Sequence, residues 1–452
     1  MLYGGWRQYQ CDIDMSNANF ESITLERILG KGILTKAFKK VVGNKGSAGV
    51  DNMEPKDFEG YIRENPGLIS TSVLNGTYRP KPIKRVYIPK DNGEKRPLGI
   101  PTVTDRFVQQ AVALVLSEEY EKVFSDNSFG FRPNRSCNKA VTRALEYINS
   151  GLEWVIDLDL SKFFDTVNHS KLLQLLSDKI KDGRVISLIH KFLKAPICED
   201  GKVSKKNTIG TPQGGVISPI LANILLNELD QLLDSRGIKF VRYADDMVIL
   251  CGSKKAAERI LANVTKFIEK KLFLKVNTDK TKILQASEKC QFLGFGFTQK
   301  VAKWKKELYP TQKFFAVVHE KKQSKLIKVL RVITDRRAKG GIENVKRTLK
   351  LKLQGWFNYF KDAIPMSWMI RLDKWLRRRI RQLLWKQWKK PENRHREFAK
   401  RLTKCPSLDE YAYSSNSYWR MARTPQINKA LSIKNLENEG WVSLKGLDSA
   451  SI

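Results

Sequence analysis

Several residue types that build common active sites are scarce in this sequence of 452 residues. Six cysteines are scattered from position 11 to position 405 without a Cys-x-x-Cys pair, which favours reduced cytosolic thiols over disulfides or a zinc site. Only four histidines occur, so a histidine-rich nuclease centre is not expected. Apolar runs stay short of the ~18 residues that predict a membrane span, and the first residues lack a signal-peptide pattern. We therefore expect no membrane partner.

Acidic residues are also in short supply, with 47 Asp and Glu against 82 Lys and Arg and a net charge of +35. Such an excess of positive charge predicts a polyanionic partner, and a purely electrostatic RNA-binding protein is the main alternative to an enzyme. The chain is nevertheless 41% hydrophobic, which argues against disorder and predicts several folded domains. Acids that cluster against this basic background need an explanation.

Two adjacent carboxylates interrupt the apolar stretch at residues 240–250. Residues that favour strands run up to Tyr243 and resume at Met247, which predicts a hairpin with Asp245 and Asp246 at its tip. Like charges repel and carboxylates resist desolvation, so a bound divalent cation would remove both costs. For this stretch taken alone, the alternative is an ordinary Asp-containing turn.

A second acidic strand is predicted upstream, at residues 154–160. Alternation places Asp157 and Asp159 on one face of this strand and Leu158 and Leu160 on the other. Mg²⁺ prefers oxygen ligands, and two such ions can activate a 3′-hydroxyl and steady a leaving pyrophosphate. An Asp-bearing strand and an Asp-Asp hairpin together predict such a two-metal site.

The motifs around these acids resemble those of a known family. Tyr243-Ala-Asp-Asp246 is similar to the tyrosine-x-Asp-Asp box of reverse transcriptases, and Asp159 with Phe164 resembles their first catalytic Asp and its sugar gate. Thr211-Pro-Gln-Gly-Gly215 followed by Ser218-Pro-x-Leu-Ala-Asn223 is a specific match to the reverse transcriptases of group II introns. Ser218 and Pro219 also predict a helix start, with Ser218 as the N-cap.

The resemblance implies an α+β, right-hand polymerase fold with fingers, palm and helical thumb. It divides the chain into an N-terminal extension (1–60), fingers and palm (61–300), a thumb or maturase domain (301–391) and a small DNA-binding region (392–452). Asn52 replaces a glycine that the family has at the end of the extension. No zinc-nuclease pattern follows, so we expect the endonuclease-lacking bacterial form, in the cytoplasm.

The resemblance also implies roles at the active site. Asp159, Asp245 and Asp246 are expected to be catalytic and, together with the carbonyl of Leu160, to hold two Mg²⁺ ions. Asp157 lies outside the family motif and is interpreted as structural.

A basic hairpin at residues 78–101 carries Lys90 and Arg96 on opposing arms. Such a pair can grip a triphosphate or stand free in solvent, and the resemblance favours nucleotide binding. It also implies that Gln213 lines the nucleotide pocket and that Phe164 lies beneath the sugar. If the chain stays extended after Asp159, Phe163 points the other way.

Four further positions are candidate contacts to nucleic acid in the polymerase region. Arg132 and Arg135 belong to a segment that resembles the family's template-contacting motif. Lys280 and Lys282 flank apolar palm strands and either touch phosphate or are solvated.

Composition changes near residue 300, since residues 300–404 contain 32 Lys and Arg but 8 Asp and Glu, a net charge of +24. Three helices are predicted here, and we interpret their tryptophans as core. Gly355-Trp-Phe-Asn-Tyr359 resembles a piece of the family's maturase domain. The basic residues that interleave with the third helix are predicted to contact nucleic acid, because unpaired like charges repel one another. They are Arg377, Arg378, Arg379 and Arg381.

The resemblance implies an RNA-directed DNA polymerase that also binds its group II intron RNA as a maturase, promoting splicing and retrohoming. Its expected partners are the intron RNA, an RNA template with a DNA primer, target DNA and deoxynucleotides. The alternatives are a splicing-only RNA-binding maturase and a reverse transcriptase recruited to defence or repair. The retained acids argue against the first, and the full thumb and N-terminal extension argue against the second.

Overall fold

The computed structural model of the chain describes residues 21–89, 93–203, 207–287, 289–301, 303–337, 340–402 and 408–449. The chain divides after Gln285 into two compact units, called unit 1 (residues 1–285) and unit 2 (residues 286–452) below. Both units contain helices and strands, as the predicted α+β class requires. None of the described helices is both long and apolar enough to cross a bilayer.

The described part of unit 1 contains helices α1 to α11 and strands β1 to β8. Its helices are α1 (Leu25–Ile28), α2 (Lys31–Gly43), α3 (Phe58–Glu64), α4 (Leu68–Leu74), α5 (Val103–Tyr120), α6 (Cys137–Asn149), α7 (Phe163–Thr166), α8 (His169–Lys179), α9 (Gly183–Leu193), α10 (Ser218–Ser235) and α11 (Lys254–Lys271). Its strands are β1 (Ile83–Pro89), β2 (Lys95–Ile100), β3 (Trp154–Leu158), β4 (Ile197–Glu199), β5 (Lys202–Val203), β6 (Lys239–Tyr243), β7 (Asp246–Cys251) and β8 (Lys282–Gln285).

One four-stranded sheet of unit 1 has the order β6-β7-β3-β8 and carries both predicted acidic segments. Strands β3 and β7 are antiparallel, with Leu158 opposite Met247, so the end of β3 lies beside the start of β7. Apolar residues of β3, β6 and β7 alternate into the core and pack with those of α10 and α11. The register therefore brings Asp159 close to the tip of the β6–β7 hairpin.

A second sheet, ordered β2-β1-β4-β5, contains the basic hairpin. Strands β1 and β2 are antiparallel, with Ile88 opposite Arg96, which confirms the predicted hairpin. Tyr87 and Ile88 are exposed, so the outer part of this hairpin projects from the core. Lys90 lies outside the described residues, and its predicted contact with a nucleotide remains a prediction.

The described part of unit 2 is mainly helical. Its elements are β9 (Phe295–Thr298), α12 (Lys303–Leu308), β10 (Phe315–Val318), α13 (Glu320–Ile333), α14 (Gly341–Phe360), a 3-10 turn (Lys361–Ala363), α15 (Met366–Gln387), α16 (Pro391–Ala399), α17 (Leu408–Ala412), α18 (Tyr418–Met421), α19 (Pro425–Ala430), α20 (Ile433–Asn438) and α21 (Leu444–Ser449). Pro365 stands between α14 and α15, and Pro391 begins α16, because proline lacks the amide proton that a helix interior needs.

Leucine, phenylalanine and tryptophan side chains form the core of unit 2. Trp385 and Trp388 are buried, and Trp356, Trp368 and Trp375 pack against the same cluster, which confirms that these tryptophans belong to the core. The side chain of Trp304 lies outside the described residues.

Candidate active site

The tip of the acidic hairpin is a tight two-residue turn. Tyr243 pairs with Asp246, so Ala244 and Asp245 form the turn and Asp246 already lies in β7. Ala244 has a φ of +58°, a left-handed conformation that a residue with a side chain adopts only at a cost. Asp245 is half-buried and Asp246 is exposed. The surrounding structure must therefore hold this turn in place.

Arg242 provides that support from inside the protein. It is 1% exposed and forms an ion pair with Asp230, which is fully buried on α10. One terminal nitrogen donates to the carbonyl of Ala244 at 2.9 Å and to Asn223 Oδ1 at 3.0 Å, and the other donates to Ser128 Oγ at 2.8 Å. One guanidinium thus fixes the turn to α10 and to the segment before α6.

Gly130 makes the close approach to this turn possible. A Cβ atom at Gly130 would collide with the backbone nitrogen of Ala244. The carbonyl of Gly130 accepts a hydrogen bond of 2.8 Å from Asn223, which also binds Arg242. Any larger residue at position 130 would have to displace the turn that carries Asp245.

Asp159 is held by its backbone immediately after β3. Its N–H donates to Thr281 Oγ1 at 3.2 Å, and its carbonyl accepts from the N–H of Asn277 at 2.9 Å. Leu160 forms an antiparallel β-bridge with Val276, so the backbone after Asp159 continues beside the segment that contains Asn277. The Asp159 carboxylate, two-thirds buried, then points to solvent beside Lys280, whose Nζ lies 3.4 Å from Asp159 Oδ2.

The electrostatics of this pair of carboxylates favour a cation. Burial raises the pKa of Asp245, and the negative charge of Asp159 raises it further, whereas Arg96 opposes the shift. Lys280 already supplies one positive charge to Asp159. Within the described ranges, no three His, Cys, Asp or Glu side chains form a complete metal cluster.

Phe163 and Phe164 follow a sharp change of direction. Lys162 has a φ of +47°, after which residues 163–166 form the short helix α7 instead of an extended chain. Phe163 is buried in the core, while Phe164 is half-buried, with the two rings 5.1 Å apart in a T-shaped arrangement. The two rings differ in burial as predicted, but a helical turn and not an extended chain separates them.

The loop at residues 210–213 is hydrogen-bonded to the backbone around Phe164. Thr211 N donates to the carbonyl of Phe164 at 2.6 Å, and Gly210 N donates to that of Val167 at 2.8 Å. Gly210 has a φ of +87°, and a Cβ there would lie 2.8 Å from the carbonyl oxygen of Asp165. Glycine is therefore required for this close contact.

His169 closes the same loop from the start of α8. Its Nε2 lies 2.7 Å from the carbonyl oxygen of Gly210, and a carbonyl only accepts, so Nε2 carries the proton. The imidazole is 7% exposed, and Nδ1 has no partner within the described part of the chain. This histidine thus fixes the loop that leads to Gln213.

Gln213 connects this loop to the basic hairpin. Its side-chain oxygen accepts a hydrogen bond of 3.2 Å from Arg96 Nε, and its carbonyl accepts one of 2.6 Å from Gly99 N. A cavity of about 280 Å³ lies here, lined by both strands of the hairpin, the loop and Asp165. Arg96 thus contacts Gln213 and also acts by its charge on Asp245, so the hairpin and the loop are neighbours of that acid in unit 1.

Two family models match successive parts of the chain, and the first of them continues past the division after Gln285. "Reverse transcriptase (RNA-dependent DNA polymerase)" covers residues 88–297, and "Group II intron, maturase-specific domain" covers residues 323–402. The chain is 34% identical to Protein YkfC of Escherichia coli (strain K12), over 60% of this chain and 81% of that protein. It is 33% identical to Group II intron-encoded protein LtrA of Lactococcus lactis subsp. cremoris. The chain belongs to the family of group II intron-encoded reverse transcriptases.

The match to LtrA covers 59% of this chain and 55% of LtrA, so the chain spans about half of that relative. Among solved structures, a chain of a "Partial Cas6-RT-Cas1--Cas2 complex" is similar over 54% of this chain and 42% of that chain, with 22% identity and a TM-score of 0.35. Residues 403–449 lie beyond both family models.

The two arginines in the family's template-contacting motif are engaged within the protein. Arg132 is buried and donates to the carboxylate of Glu121 and to the carbonyls of Ser125 and Ser128. Its predicted phosphate contact is therefore replaced by a positioning role, because its donors are already taken. Arg135 binds Asp126 at 2.8 Å but remains partly exposed.

The two lysines predicted near the palm differ in their surroundings. Lys280 lies at the acids themselves, 3.4 Å from Asp159. Lys282 begins β8 opposite Asp157 and is exposed. The structure therefore brings Lys280 to the active site, while Lys282 presents its charge to solvent.

The four arginines of α15 divide into two pairs. Arg379 donates to Thr334 Oγ1 and to the carbonyls of Arg331 and Thr334 at 2.8–3.1 Å. Arg381 donates to the carbonyl of Leu431 at 3.0 Å and to Asn428 Oδ1. Both therefore hold helices together, contrary to the prediction that all four contact nucleic acid. Arg377, Arg378 and Arg381 line one cavity, and the guanidinium groups of Arg377 and Arg378 donate to no backbone carbonyl in the described structure.

Residues that position the active site escaped the sequence interpretation. They are Arg242, Asp230, Asn223, Gly130 and His169. Arg242 alone gave a usable signal, since it is a charge inside an apolar strand segment, where an unpaired charge is costly, but the sequence does not single out Asp230 from Glu228 and Asp234 as its partner. Gly130 and His169 carry no comparable signal, because their partners are distant in sequence.

Proposed function

We propose that the chain is an RNA-directed DNA polymerase that also binds group II intron RNA as a maturase, promoting splicing and retrohoming. The observation that carries the first part is the convergence of Asp159 and Asp245 at neighbouring ends of β3 and β7, with Arg96 acting on the same carboxylate. A purely electrostatic RNA-binding protein has no need for a carboxylate such as Asp245, whose pKa is raised by burial and by the neighbouring charge of Asp159.

The carboxylates of Asp159 and Asp245 are the proposed ligands of two Mg²⁺ ions, with Asp246 and the carbonyl of Leu160 as further donors. When bound, such ions activate a 3′-hydroxyl and stabilise the leaving pyrophosphate. Mg²⁺ is commonly held by one or two carboxylates together with substrate phosphates, which accords with an incomplete protein ligand set. Arg242 keeps Asp245 in position, and Lys280 balances Asp159 when no metal is present.

We propose that the deoxynucleotide binds between the basic hairpin and the loop at residues 210–213. Arg96, with its planar fork of donors, and Lys90 hold the triphosphate, and Gln213 orients Arg96 through their hydrogen bond. Phe164 lies beneath the sugar and excludes a 2′-hydroxyl. Thr211 fixes the backbone of Phe164 and thereby sets the depth of this gate.

Nucleic acid is proposed to bind basic side chains of both units. In unit 1, Arg135, Lys280 and Lys282 are exposed or partly exposed near the active site and contact the template and primer. In unit 2, Arg377 and Arg378 contact the intron RNA, because neither guanidinium group donates a hydrogen bond to a backbone carbonyl in the described structure. Residues 392–452 are proposed to contact target DNA.

Replacement of Asp245 by Asn tests the polymerase assignment. We expect primer extension to fall at least about a thousandfold, because the metal contribution is worth several kcal/mol. Asp157→Asn is the matched control, since Asp157 precedes Asp159 on the same strand face but lies outside the motif, and it should keep near-normal activity. RNA binding should survive in both variants. Primer extension near the wild-type rate in Asp245→Asn would refute the proposal.

A splicing-only maturase is the rival function, and the wild-type protein distinguishes it directly. Such a protein would bind intron RNA and promote its splicing without extending a primer. The DNA that flanks the reading frame tests the other rival, a reverse transcriptase recruited to defence or repair, because a maturase is encoded within a sequence that folds as a group II ribozyme.

A further inference from the structure

The basic hairpin is joined to the core by two segments, residues 78–82 before β1 and residues 101–102 after β2, which we call the root of the hairpin. Asp105, in the first turn of α5, is hydrogen-bonded to both segments and is 2% exposed. A buried carboxylate is costly unless hydrogen bonds replace its water. The partners of Asp105 therefore indicate what this position does.

Three groups donate hydrogen bonds to the Asp105 carboxylate. Oδ1 accepts from the hydroxyl of Tyr78 at 2.7 Å, and Oδ2 accepts from the N–H of Lys81 at 3.2 Å and from the hydroxyl of Thr102 at 2.7 Å. Burial raises the pKa of Asp105, and these three bonds oppose the rise. Tyr78 and Lys81 precede the hairpin and Thr102 follows it, so one side chain joins both halves of the root.

The start of helix α5 brings Asp105 to this position. Thr102 is the N-cap of α5, and its hydroxyl oxygen accepts from the N–H of Asp105 at 3.2 Å while its proton is donated to Asp105 Oδ2. In the usual capping box, the acid at the third helical position reaches back to the N-cap alone. Asp105 also binds Tyr78 and Lys81, which a helix cap does not require.

Other contacts at the root are weaker or lie farther along the hairpin. Lys81 Nζ is 3.2 Å from Asp51 Oδ2, but this lysine side chain is 56% exposed, and exposed ion pairs contribute little. Gly99 N donates to the carbonyl of Gln213 at 2.6 Å, and Ile83 N donates to that of Pro196 at 2.8 Å. If these two backbone bonds suffice to hold the hairpin, Asp105 has a structural role only.

The root controls where the outer part of the hairpin lies. Arg96 is opposite Ile88 in this outer part. At about 3.3 Å per residue, Arg96 is about 20 Å along the strand from Thr102, so a tilt of about 10° at the root would move it by about 3 Å. The hydrogen bond of 3.2 Å from Arg96 Nε to Gln213 would not survive such a shift.

We propose that Asp105 is a positioning residue for nucleotide binding, which joins the two ends of the basic hairpin and thereby places Arg96 against the triphosphate of the incoming deoxynucleotide. This inference rests on the proposed function, because Arg96 is a proposed ligand of the triphosphate. Asp105 itself is buried and acts only through Arg96.

The test measures primer extension by the full chain carrying Asp105→Asn, which keeps the shape of the side chain and removes its charge. The KM for the deoxynucleotide should rise about tenfold, while kcat and the KM for the primer stay within about twofold. Tyr78→Phe removes one donor and keeps the ring packed against Phe192, so it is the variant to use if Asp105→Asn does not fold. It should raise the same KM about threefold, and an unchanged KM in the folded variants would overturn the proposal.

Asp373→Asn is the matched control for the loss of a buried carboxylate. Asp373, on α15 of unit 2, is also 2% exposed and accepts hydrogen bonds from the N–H groups of Leu444 and Lys445 at 2.9 and 3.0 Å. This variant should lower the unfolding temperature while the nucleotide KM stays unchanged. An equal rise in KM in the control would show that lost stability alone is responsible, against the proposal.

A double-mutant cycle with Arg96→Gln separates positioning from a structural role. If Asp105 acts through Arg96, adding Asp105→Asn to Arg96→Gln should raise the KM by no more than about twofold, because the group that Asp105 places is already gone. If the two single effects multiply instead, Asp105 acts independently of Arg96 and the proposal is wrong.

Hydrogen exchange provides a readout that does not depend on polymerase activity. Amide protons of β1 and β2 should exchange about tenfold faster in Asp105→Asn than in the wild type or in Asp373→Asn, because the root has lost its joining carboxylate. If the wild type extends no primer, the proposed function fails, and unchanged exchange would still overturn the role of Asp105. If Asp245→Asn abolishes synthesis while Asp105→Asn alters neither KM nor exchange, the positioning role fails alone.

Discussion

In the acidic hairpin of unit 1 and in helix α15 of unit 2, some charged residues bind partners inside the protein while neighbouring charged residues face a candidate site. In the hairpin, Arg242 turns inward to bind Asp230 and the Ala244 carbonyl, and Asp245, three residues later, turns toward the site. On α15, Arg379 and Arg381 bind backbone carbonyls, whereas Arg377 and Arg378 make no such bond in the described structure and face the cavity that Arg381 also lines. In each region, charged residues that lie close together in the sequence therefore have two roles: some hold the site together, and others face its ligand.

The two regions differ in the cost of removing a charge that builds the site. Arg242 and Asp230 are 1% and 0% exposed, so each would be left as an unpaired charge without the other. Arg379 and Arg381 bind neutral carbonyls and are only half-buried. We therefore expect substitutions in unit 1 to affect stability and catalysis together, and those in unit 2 to separate stability from binding.

Arg242→Met should have the largest effect on stability. It leaves Asp230 buried without its partner, which costs about 3–5 kcal/mol of unfolding free energy. Adding Asp230→Leu should restore most of this stability, because apolar replacement of a whole buried pair is often neutral. Primer extension by the double variant should remain about tenfold to hundredfold slow, since the Ala244 carbonyl still lacks its charged donor. Urea unfolding and single-turnover extension measure the two effects.

The double variant decides between a positioning role and a structural role for Arg242. If stability and extension recover together, the bond to Ala244 does not position Asp245. A raised requirement for Mg²⁺ in the stable double variant would support the positioning role, because a displaced Asp245 binds the ion more weakly. This measurement does not depend on the overall stability of the protein.

The sequence predicted the positions of the acids better than it predicted the residues that hold them in place, and the reason is physical. Period-two alternation and a tight turn are local, so the strands holding Asp159 and Asp245 could be predicted from residues 154–160 and 240–250 alone. The inward direction of Arg242 depends on Asp230 and Ser128, which are distant in sequence. Nothing in the local pattern states which neighbouring charge will be buried.

The local pattern also gave a wrong helix cap at Ser218, because its side chain bonds to the preceding loop instead of capping the helix. Ser218 was predicted to cap α10, but the helix begins at Ser218 with Ile217 at the N-cap position. The hydroxyl of Ser218 donates instead to the carbonyl of Pro212 at 2.9 Å, and so closes the loop that carries Gln213. Asn168 and Ser253, which have no such competing partner in the described structure, cap α8 and α11 through their side chains.

Phe163 and Phe164 extend the comparison to aromatic neighbours in unit 1. Phe163→Ala should lower the unfolding free energy by about 3–5 kcal/mol, because its ring is buried in the core. Phe164→Ala should instead admit ribonucleotides while it keeps deoxynucleotide incorporation, because the gate is steric. Single-nucleotide incorporation with matched ribo- and deoxynucleotides measures the difference. If Phe163→Ala admits ribonucleotides and Phe164→Ala does not, the two roles are exchanged.

In unit 2, Arg379→Gln and Arg377→Gln should have opposite consequences. Arg379→Gln removes donors from Thr334 and Arg331, which should cost about 1–3 kcal/mol of stability with no change in the salt dependence of RNA binding. Arg377→Gln should leave stability unchanged and reduce the salt slope by about 0.7–0.9. Thermal unfolding and RNA titration form the two readouts. A reduced slope in Arg379→Gln would show that this arginine also reaches phosphate.

The smallest effect is expected at His169, which positions the nucleotide loop without touching the acids. His169→Leu removes the donor to the Gly210 carbonyl, a net loss of about 1 kcal/mol, so the KM for the deoxynucleotide should rise about fivefold with little change in kcat. His169→Gln keeps a donor of similar reach and should restore part of the loss. His190→Leu, on α9 and half-buried, is the matched control. An unchanged KM in His169→Leu would mean that the backbone bonds of Thr211 and Gly210 hold the loop alone.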